Sequence, residues 1–277
     1  MNPTHLYTAT GIYTITLHAV NAFGSSVAAN TIAVGLGKPP TASFTHDGPA
    51  AIGETAVFTN TTTGTSPITY TWDFGDGVTS TEVNPTHVYT ATGTYTITLH
   101  AANAAGTATS SSSMDVGLAV AAISPGAPGS LAYDYGDGRV ISVTLPGTAI
   151  TDTIKLLFDL WETPEPPTAM GYAGHAFTLS AYRQGVRLPG YPFAAPVTIL
   201  LTYQDADVAG LDETSLVLMV HSGDEWQDAA TTCTPPSGYT RSPAQNWLSL
   251  DICHLSNFAL FAHSSSSALY LPLILNE

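Results

Sequence analysis

The sequence predicts an all-β protein of more than one domain, and three observations carry the prediction. Apolar residues make up 44% of the chain and charged ones only 10%, beside abundant Thr, Ser, Ala and Gly, a profile suited to short strands and turns rather than long helices. Apolar and polar residues alternate with a period of two in segment after segment. The 277 residues exceed the roughly 100–200 of a usual single domain, and part of the sequence is present twice.

Shifted by 82 residues, Asn2-Pro-Thr-His-Leu-Tyr-Thr-Ala-Thr-Gly11 falls on Asn84-Pro-Thr-His-Val-Tyr-Thr-Ala-Thr-Gly93, and 19 of the 23 residues from 2 to 24 are identical. Similarity of this strength marks two copies of one structural unit. The first copy, 1–36, holds only the second half of the unit, so the full protein is expected to carry an intact unit ahead of residue 36. The second copy, from about Pro40 to Gly117 within 37–118, is complete. In it Ile68, Tyr70, Trp72 and Phe74 alternate with Thr69, Thr71 and Asp73, and Tyr95, Ile97, Leu99 and Ala101 alternate with Thr96, Thr98 and His100, which predicts strands with one buried face. Gly75-Asp76-Gly77 and Thr92-Gly93 supply the reversals, since glycine reaches positive φ cheaply.

Trp72-Asp-Phe-Gly-Asp-Gly77, His87-Val-Tyr89 and Gly93-Thr-Tyr95-Thr-Ile-Thr-Leu99 together resemble the signature of polycystic-kidney-disease (PKD) repeats, with Trp72, Tyr89 and Tyr95 as its core residues. The resemblance implies an immunoglobulin-like β-sandwich that serves bacterial and archaeal surface proteins as a spacer or adhesion module and has no catalytic role.

A Pro/Gly-rich stretch at 124–129 opens a second domain, 119–263, with strand-like segments at 139–145, 153–160, 176–182, 197–203, 215–221 and 247–260 and no helical periodicity. Gly129-Ser-Leu131 and Val143-Thr-Leu-Pro-Gly147-Thr-Ala-Ile150 resemble the opening of ZU5-type domains. Pro196-Val-Thr-Ile199, Gly210-Leu-Asp-Glu213, Asp224-Glu-Trp226 and the closing His-Leu-Ser-Asn-Phe-Ala run resemble bacterial domains found beside PKD repeats. A Ser-rich spacer and short apolar tail, 264–277, completes an architecture similar to surface proteins of Chloroflexi-type bacteria.

Six Lys+Arg against 21 Asp+Glu give a formal charge of -15, which repels nucleic acid and anionic lipid. The apolar run 269–275 is interrupted by Pro272 and is far short of the roughly 20 residues of a membrane helix. Residues 1–5 have no basic n-region or apolar h-region, so no secretion signal is visible, and the chain reads as N-terminally truncated. Its expected place is nevertheless extracellular or at a cell surface, with other surface proteins or extracellular polysaccharide as partners.

Asp73 and Asp76 are carboxylates to weigh as Ca²⁺ ligands, and turn chemistry accounts for both. Asp205 and Asp207 stand at positions one and three of an EF-hand-like loop, but Ala209 and Leu216 occupy positions five and twelve, where that loop needs oxygen ligands. No metal and no cofactor are therefore expected, with Ca²⁺ at Asp73 and Asp76 or at Asp205 and Asp207 as the alternative. Cys233 and Cys253 are expected to form a disulfide across the last hairpin, closing a loop of about 20 residues worth roughly 3 kcal/mol. No GxSxG, HExxH or GxxxxGK[ST] motif is present.

Cys253-His-Leu-Ser-Asn-Phe-Ala-Leu260 resembles the cleavage strand of adhesion-receptor autoproteolytic domains and, more loosely, of self-cleaving ZU5 relatives. The resemblance implies that His254 takes the Ser256 proton, that the oxygen attacks the Leu255 carbonyl, and that water hydrolyses the resulting ester. The sequence departs from those sites in having two cysteines where they have four. An ordinary closing strand with Phe258 and Leu260 in the core explains the same residues. The expected function is a non-catalytic extracellular modular protein for spacing, adhesion or display. The alternatives are self-processing at Leu255-Ser256, the sole enzymatic activity considered, and the C-terminal accessory part of a longer secreted hydrolase.

Overall fold

A computed structural model describes residues 3–35, 37–222 and 225–265. The expected tail lies outside them beyond Ser265, as does Asp224. The described residues are strands and turns with three single-turn 3₁₀ segments and no α-helix, so the chain belongs to the all-β class that its alternation predicts. Close backbone packing divides them into two compact units, one drawn from Met1–Thr45, Thr59–Pro85 and Ile97–Ser112, the other from His46–Phe58, Thr86–Thr96 and Ser113–Glu277.

The half repeat is one antiparallel hairpin, β1 (Gly11–Asn21) and β2 (Gly24–Val34), paired without a break from Gly11↔Val34 to Asn21↔Gly24. Ile15 and Leu17 are 51% and 67% exposed there, whereas their counterparts Ile97 and Leu99 are fully buried. The two faces have the same composition, so what differs is the sheet each has to pack against. A two-stranded hairpin with an open apolar face is marginal in water. Limited proteolysis is expected to cut within residues 1–36 first; strong protection of β1 would show that another surface covers it.

The complete repeat contributes β3 (Phe44–His46), β4 (Ala50–Ala51), β5 (Thr55–Asn60), β6 (Thr69–Asp73), β7 (Thr79–Ser80), β8 (Thr86–Val88), β9 (Gly93–Asn103) and β10 (Gly106–Gly117). They form a five-stranded sheet of order β4-β10-β9-β6-β7 and a three-stranded sheet β3-β5-β8, an immunoglobulin-like sandwich.

Twelve further strands follow: β11 (Ala119–Ile123), β12 (Gly129–Asp134), β13 (Val140–Leu145), β14 (Ile154–Leu160), β15 (Met170–Arg183), β16 (Val186–Leu188), β17 (Pro192–Thr202), β18 (Val217–Ser222), β19 (Glu225–Asp228), β20 (Thr240–Ser242), β21 (Trp247–His254) and β22 (Asn257–His263). A seven-stranded sheet runs β11-β14-β15-β22-β18-β19 with β16 beside β15, and a five-stranded sheet runs β12-β13-β17-β21-β20. Alternate residues of the two sheets meet in one core, Val143, Ile199 and Leu250 from one side and Phe158, Leu179, Leu218 and Leu260 from the other. A ladder of rings crosses it, with centroids 4.8 Å apart from Tyr133 to Phe158, 5.6 Å from Phe158 to Phe177 and 5.5 Å from Phe177 to Phe258.

The segment 247–260, one strand by its alternation, is two. β21 belongs to the five-stranded sheet and β22 to the seven-stranded one, and Leu255-Ser256 makes the crossing. Period-two alternation is the same before and after the crossing, so the pattern cannot reveal it.

Candidate functional site

The crossing holds the residues of the expected cleavage site. Leu255 is 3% exposed and its N–H donates to the Tyr191 carbonyl at 3.1 Å, while the Ser256 carbonyl accepts from Leu179 N–H at 3.1 Å. The bond is thus held in both sheets. The Ser256 hydroxyl donates to the His221 carbonyl at 3.1 Å, and His254 Nδ1 lies 3.4 Å from the Leu255 carbonyl oxygen. The structure brings His254 to the carbonyl and gives the nucleophile's proton a different acceptor. Phe258 and Leu260 are fully buried.

Cys233 and Cys253 form a disulfide with Cα atoms 5.0 Å apart. It ties the end of the 3₁₀ turn Ala229–Thr232 to β21, where Cys253 N–H also donates to Thr232 Oγ1 at 3.1 Å. Asp205 accepts from the Asn246 amide at 2.6 Å, and Asp207 accepts from Gln204 N–H at 2.9 Å and lies 3.7 Å from Arg139. Among the described residues no group of three or more His, Cys, Asp or Glu side chains converges as a metal set would.

Arg139 stands on a turn that has a counterpart in the complete repeat. Tyr133-Asp-Tyr-Gly-Asp-Gly138 repeats the pattern of Trp72-Asp-Phe-Gly-Asp-Gly77, and the two turns are built alike. Asp134 accepts from Gly136 N–H at 2.8 Å and Asp137 from Arg139 N–H at 3.0 Å, with positive φ at Gly136 and Gly138. In the first turn Asp73 accepts from Gly75 N–H at 2.9 Å and Asp76 from Val78 N–H at 3.1 Å, with positive φ at Gly75 and Gly77. A search for the spacing Asp-x-Gly-Asp-Gly would have found the second copy. From this turn Arg139 pairs with Asp137 at 2.7 Å, lies over the Tyr135 ring at 4.6 Å and donates to the Gly174 carbonyl at 2.7 Å.

The outward face of the seven-stranded sheet carries a feature with no sequence signal of its own. Register places Asp159 opposite Thr178, Thr178 opposite Asn257, Asn257 opposite His221 and His221 opposite Trp226, a single row across β14, β15, β22, β18 and β19. Thr178 Oγ1 donates to Asn257 Oδ1 at 3.0 Å. Burial, as the main cause, pushes the Asp159 carboxyl above the usual range. Trp226, at the β19 end of the row, and Trp161 beside it lie 5.7 Å apart, each within 5.4 Å of the His221 ring, and Trp226 meets Phe261 edge-on at 4.9 Å. Ala176, Ala259 and Phe261 form a small apolar floor beneath the half-buried Trp161, Tyr172 and Trp226. Trp161 also lines a cavity of about 220 Å³ with Tyr135, Arg139, Thr163 and Tyr172.

In the complete repeat Trp72 is fully buried, packs edge-on against Phe44 at 5.1 Å and donates its indole N–H to the Glu82 carbonyl at 2.9 Å. It is a core residue with its one donor satisfied. Tyr89 is buried and stacks 4.2 Å from Tyr95, whose hydroxyl donates to the Ala91 carbonyl at 3.0 Å. The sequence profile of the PKD domain matches residues 37–118. Over 28% of this chain and 95% of its own length, the PKD1 domain of the metalloprotease PrtV from Vibrio cholerae is 35% identical, with a TM-score of 0.25. Residues 37–118 belong to the PKD domain family. The PKD1 domain of Vibrio anguillarum Epp is 28% identical over 30% of this chain and 98% of that one, with a TM-score of 0.27. A structure from a study of β-sandwich carbohydrate-binding modules aligns with 81% of the chain and 91% of its own at 14% identity and a TM-score of 0.31, too weak a likeness to inform binding. No curated protein matches the chain.

The hairpin β1–β2 keeps the ring geometry of the PKD domain. His5 meets Tyr7 edge-on at 4.6 Å as His87 meets Tyr89 at 4.5 Å, and Tyr13 donates to the Ala9 carbonyl at 2.8 Å as Tyr95 does to Ala91. These contacts are local in sequence, so they form whether or not the remainder of the sandwich is there.

Proposed function

We propose that the chain is a non-catalytic extracellular modular protein, with the PKD domain as a spacer and the second sandwich as an adhesive, surface-displayed, ZU5-like module. The observation that carries this is the membership of residues 37–118 in the PKD family, joined in one chain to a second sandwich and to a further piece of the same repeat. The Cys233–Cys253 bridge suits an oxidising compartment. At the Leu255-Ser256 bond the hydroxyl serves as a donor that fixes the sheet crossing. Denaturing mass spectrometry of the purified chain is expected to give one intact mass, and the labelled chain is expected to sediment with bacterial cell envelopes. A split at Leu255-Ser256 that disappears in Ser256→Ala would replace this reading with self-processing. An intact chain that stays in the supernatant would remove the adhesive role.

One observation favours a second reading, the accessory part of a longer secreted hydrolase: the 35% identical PKD1 domain is part of a metalloprotease. On that reading the gene carries a catalytic domain in the same frame, which sequencing of the locus tests directly.

A further inference from the structure

We propose that the outward face of the seven-stranded sheet, where Trp161 and Trp226 flank the row Asp159, Thr178, Asn257 and His221, binds a neutral polysaccharide chain. The inference deepens the adhesive reading and rests on it. Sugars present apolar C–H faces bordered by hydroxyl groups, and each hydroxyl both donates and accepts. Indole rings give such faces large rigid contact areas. The row offers an acceptor carboxylate, a hydroxyl, an amide with both capacities and an imidazole.

Spacing and charge narrow the ligand. Neighbouring strands lie about 4.8 Å apart, so four interstrand steps from β14 to β19 make a row of about 19 Å. One step is close to the length of one sugar ring, so the row suits about four consecutive units of an extended chain. Its charge disfavours anionic polymers: Asp159 stands in the row, and Asp228 pairs with Met219 next to it on the same face. Of the cations near the row, Lys155 and Arg187 stand opposite Tyr182, four residues along β15 from Thr178, Arg187 donates to Ser180 Oγ at 2.9 Å, and Arg139, in the cavity beside Trp161, is paired with Asp137 at 2.7 Å. A neutral chain meets no repulsion from these carboxylates and can hydrogen-bond to them.

The floor under the rings explains why they stand where they do. Ala176 and Ala259 are small and leave room above the sheet, and Trp161 and Trp226 pack against them and Phe261. Two neighbouring indoles, 5.7 Å apart, thus stand on an apolar floor beside polar groups, a combination that suits a sugar chain.

Isothermal titration calorimetry of the whole chain with cello-, laminari-, manno- and N-acetylchito-oligosaccharides of two to six units tests this. Alginate oligomers serve as the anionic probe and chitosan oligomers as the cationic one. At least one neutral series is expected to bind, with affinity rising up to about four units, as the row of about 19 Å requires. Trp226→Ala, Asn257→Ala and Asp159→Ala are each expected to weaken that binding about tenfold or more, with thermal unfolding monitored alongside. Trp226→Ala removes a packed ring, and Asp159→Ala, which empties no apolar core site, keeps the test decisive if that variant is destabilised. Absence of heat with every neutral series would overturn the inference, as would binding confined to alginate or chitosan, or binding unchanged in Asn257→Ala and Asp159→Ala. If no sugar binds while the chain stays intact and sediments with envelopes, the site fails and the adhesive reading stands. If sugar binds but the chain splits or stays free of envelopes, the adhesive reading fails and the site stands.

Discussion

Phe177→Ala is expected to lower the stability of the second sandwich by about 4 kcal/mol, the middle of the range for emptying a buried phenylalanine site. Phe177 is fully buried on β15 and is the central ring of the ladder, within 5.6 Å of Phe158 on one side and 5.5 Å of Phe258 on the other. Its removal forfeits the transferred apolar surface, leaves a cavity between two strands that are pinned by backbone hydrogen bonds, and deletes two ring contacts worth roughly 0.5–1.5 kcal/mol each beyond burial. A typical domain has only about 5–15 kcal/mol to lose. Urea unfolding of the variant beside the native chain measures the difference. A loss below about 1 kcal/mol would mean that the neighbours close over the site, against the rigidity expected of close-packed cores.

The second large effect is acid sensitivity set by His175. A two-residue irregularity in β15, where Tyr172 pairs with Phe261 but Ala176 with Ala259, turns the His175 ring into the core, and it is fully buried. Gly174 makes the turn at φ 83°, with Asp207 packed where a β-carbon would sit. The Thr202 carbonyl accepts from His175 Nε2 at 2.8 Å, which leaves Nδ1 to accept from the Tyr135 hydroxyl at 3.2 Å. Burial holds the ring neutral down to about 4; the Arg139 charge acts in the same direction, while the Thr202 carbonyl, Asp207 and Asp137 oppose it.

An unfolded histidine takes up its proton near 6.5, so as the pH falls the unfolded chain gains the proton first. The stabilisation is whole above about pH 6.5, declines below it and is gone below about pH 4, a loss of about 3 kcal/mol. Urea unfolding at pH 7, 5.5 and 4 is expected to show this decline in the native chain and a shallower one in His175→Gln, which cannot titrate. Parallel pH dependences in the two proteins would remove His175 as the cause.

How much was legible beforehand follows from the range of each interaction. Trp72 and Tyr89 could be read as core because strand alternation, an Asp-Gly turn and a duplicated sequence all pointed to the same face; Tyr95, expected beside them, is only half-buried. The turns at Gly75 and Gly77 are local chemistry, complete within a few residues, and the same logic would have found the second copy at Gly136 and Gly138. Local contacts also explain why the half repeat holds its His5, Tyr7 and Tyr13 arrangement while its apolar face stays exposed. By itself, then, the sequence determined the all-β class, the repeat, the PKD signature and the strands whose two faces differ in polarity.

Tertiary structure decided what depends on residues far apart in the chain. Whether Ile15 or Ile97 is buried depends on a facing sheet, not on the strand that carries it. The switch of sheets at Leu255-Ser256 leaves the alternation untouched, so only pairing with β17 on one side and β15 on the other exposes it. His175 gives no sign in the sequence that it is buried, because its place is set by a β-bulge and by a carbonyl 27 residues away. The row from Asp159 to Trp226 draws on five strands whose order in the sheet is not their order in the chain, and register across long loops is fixed by the packing of the whole core.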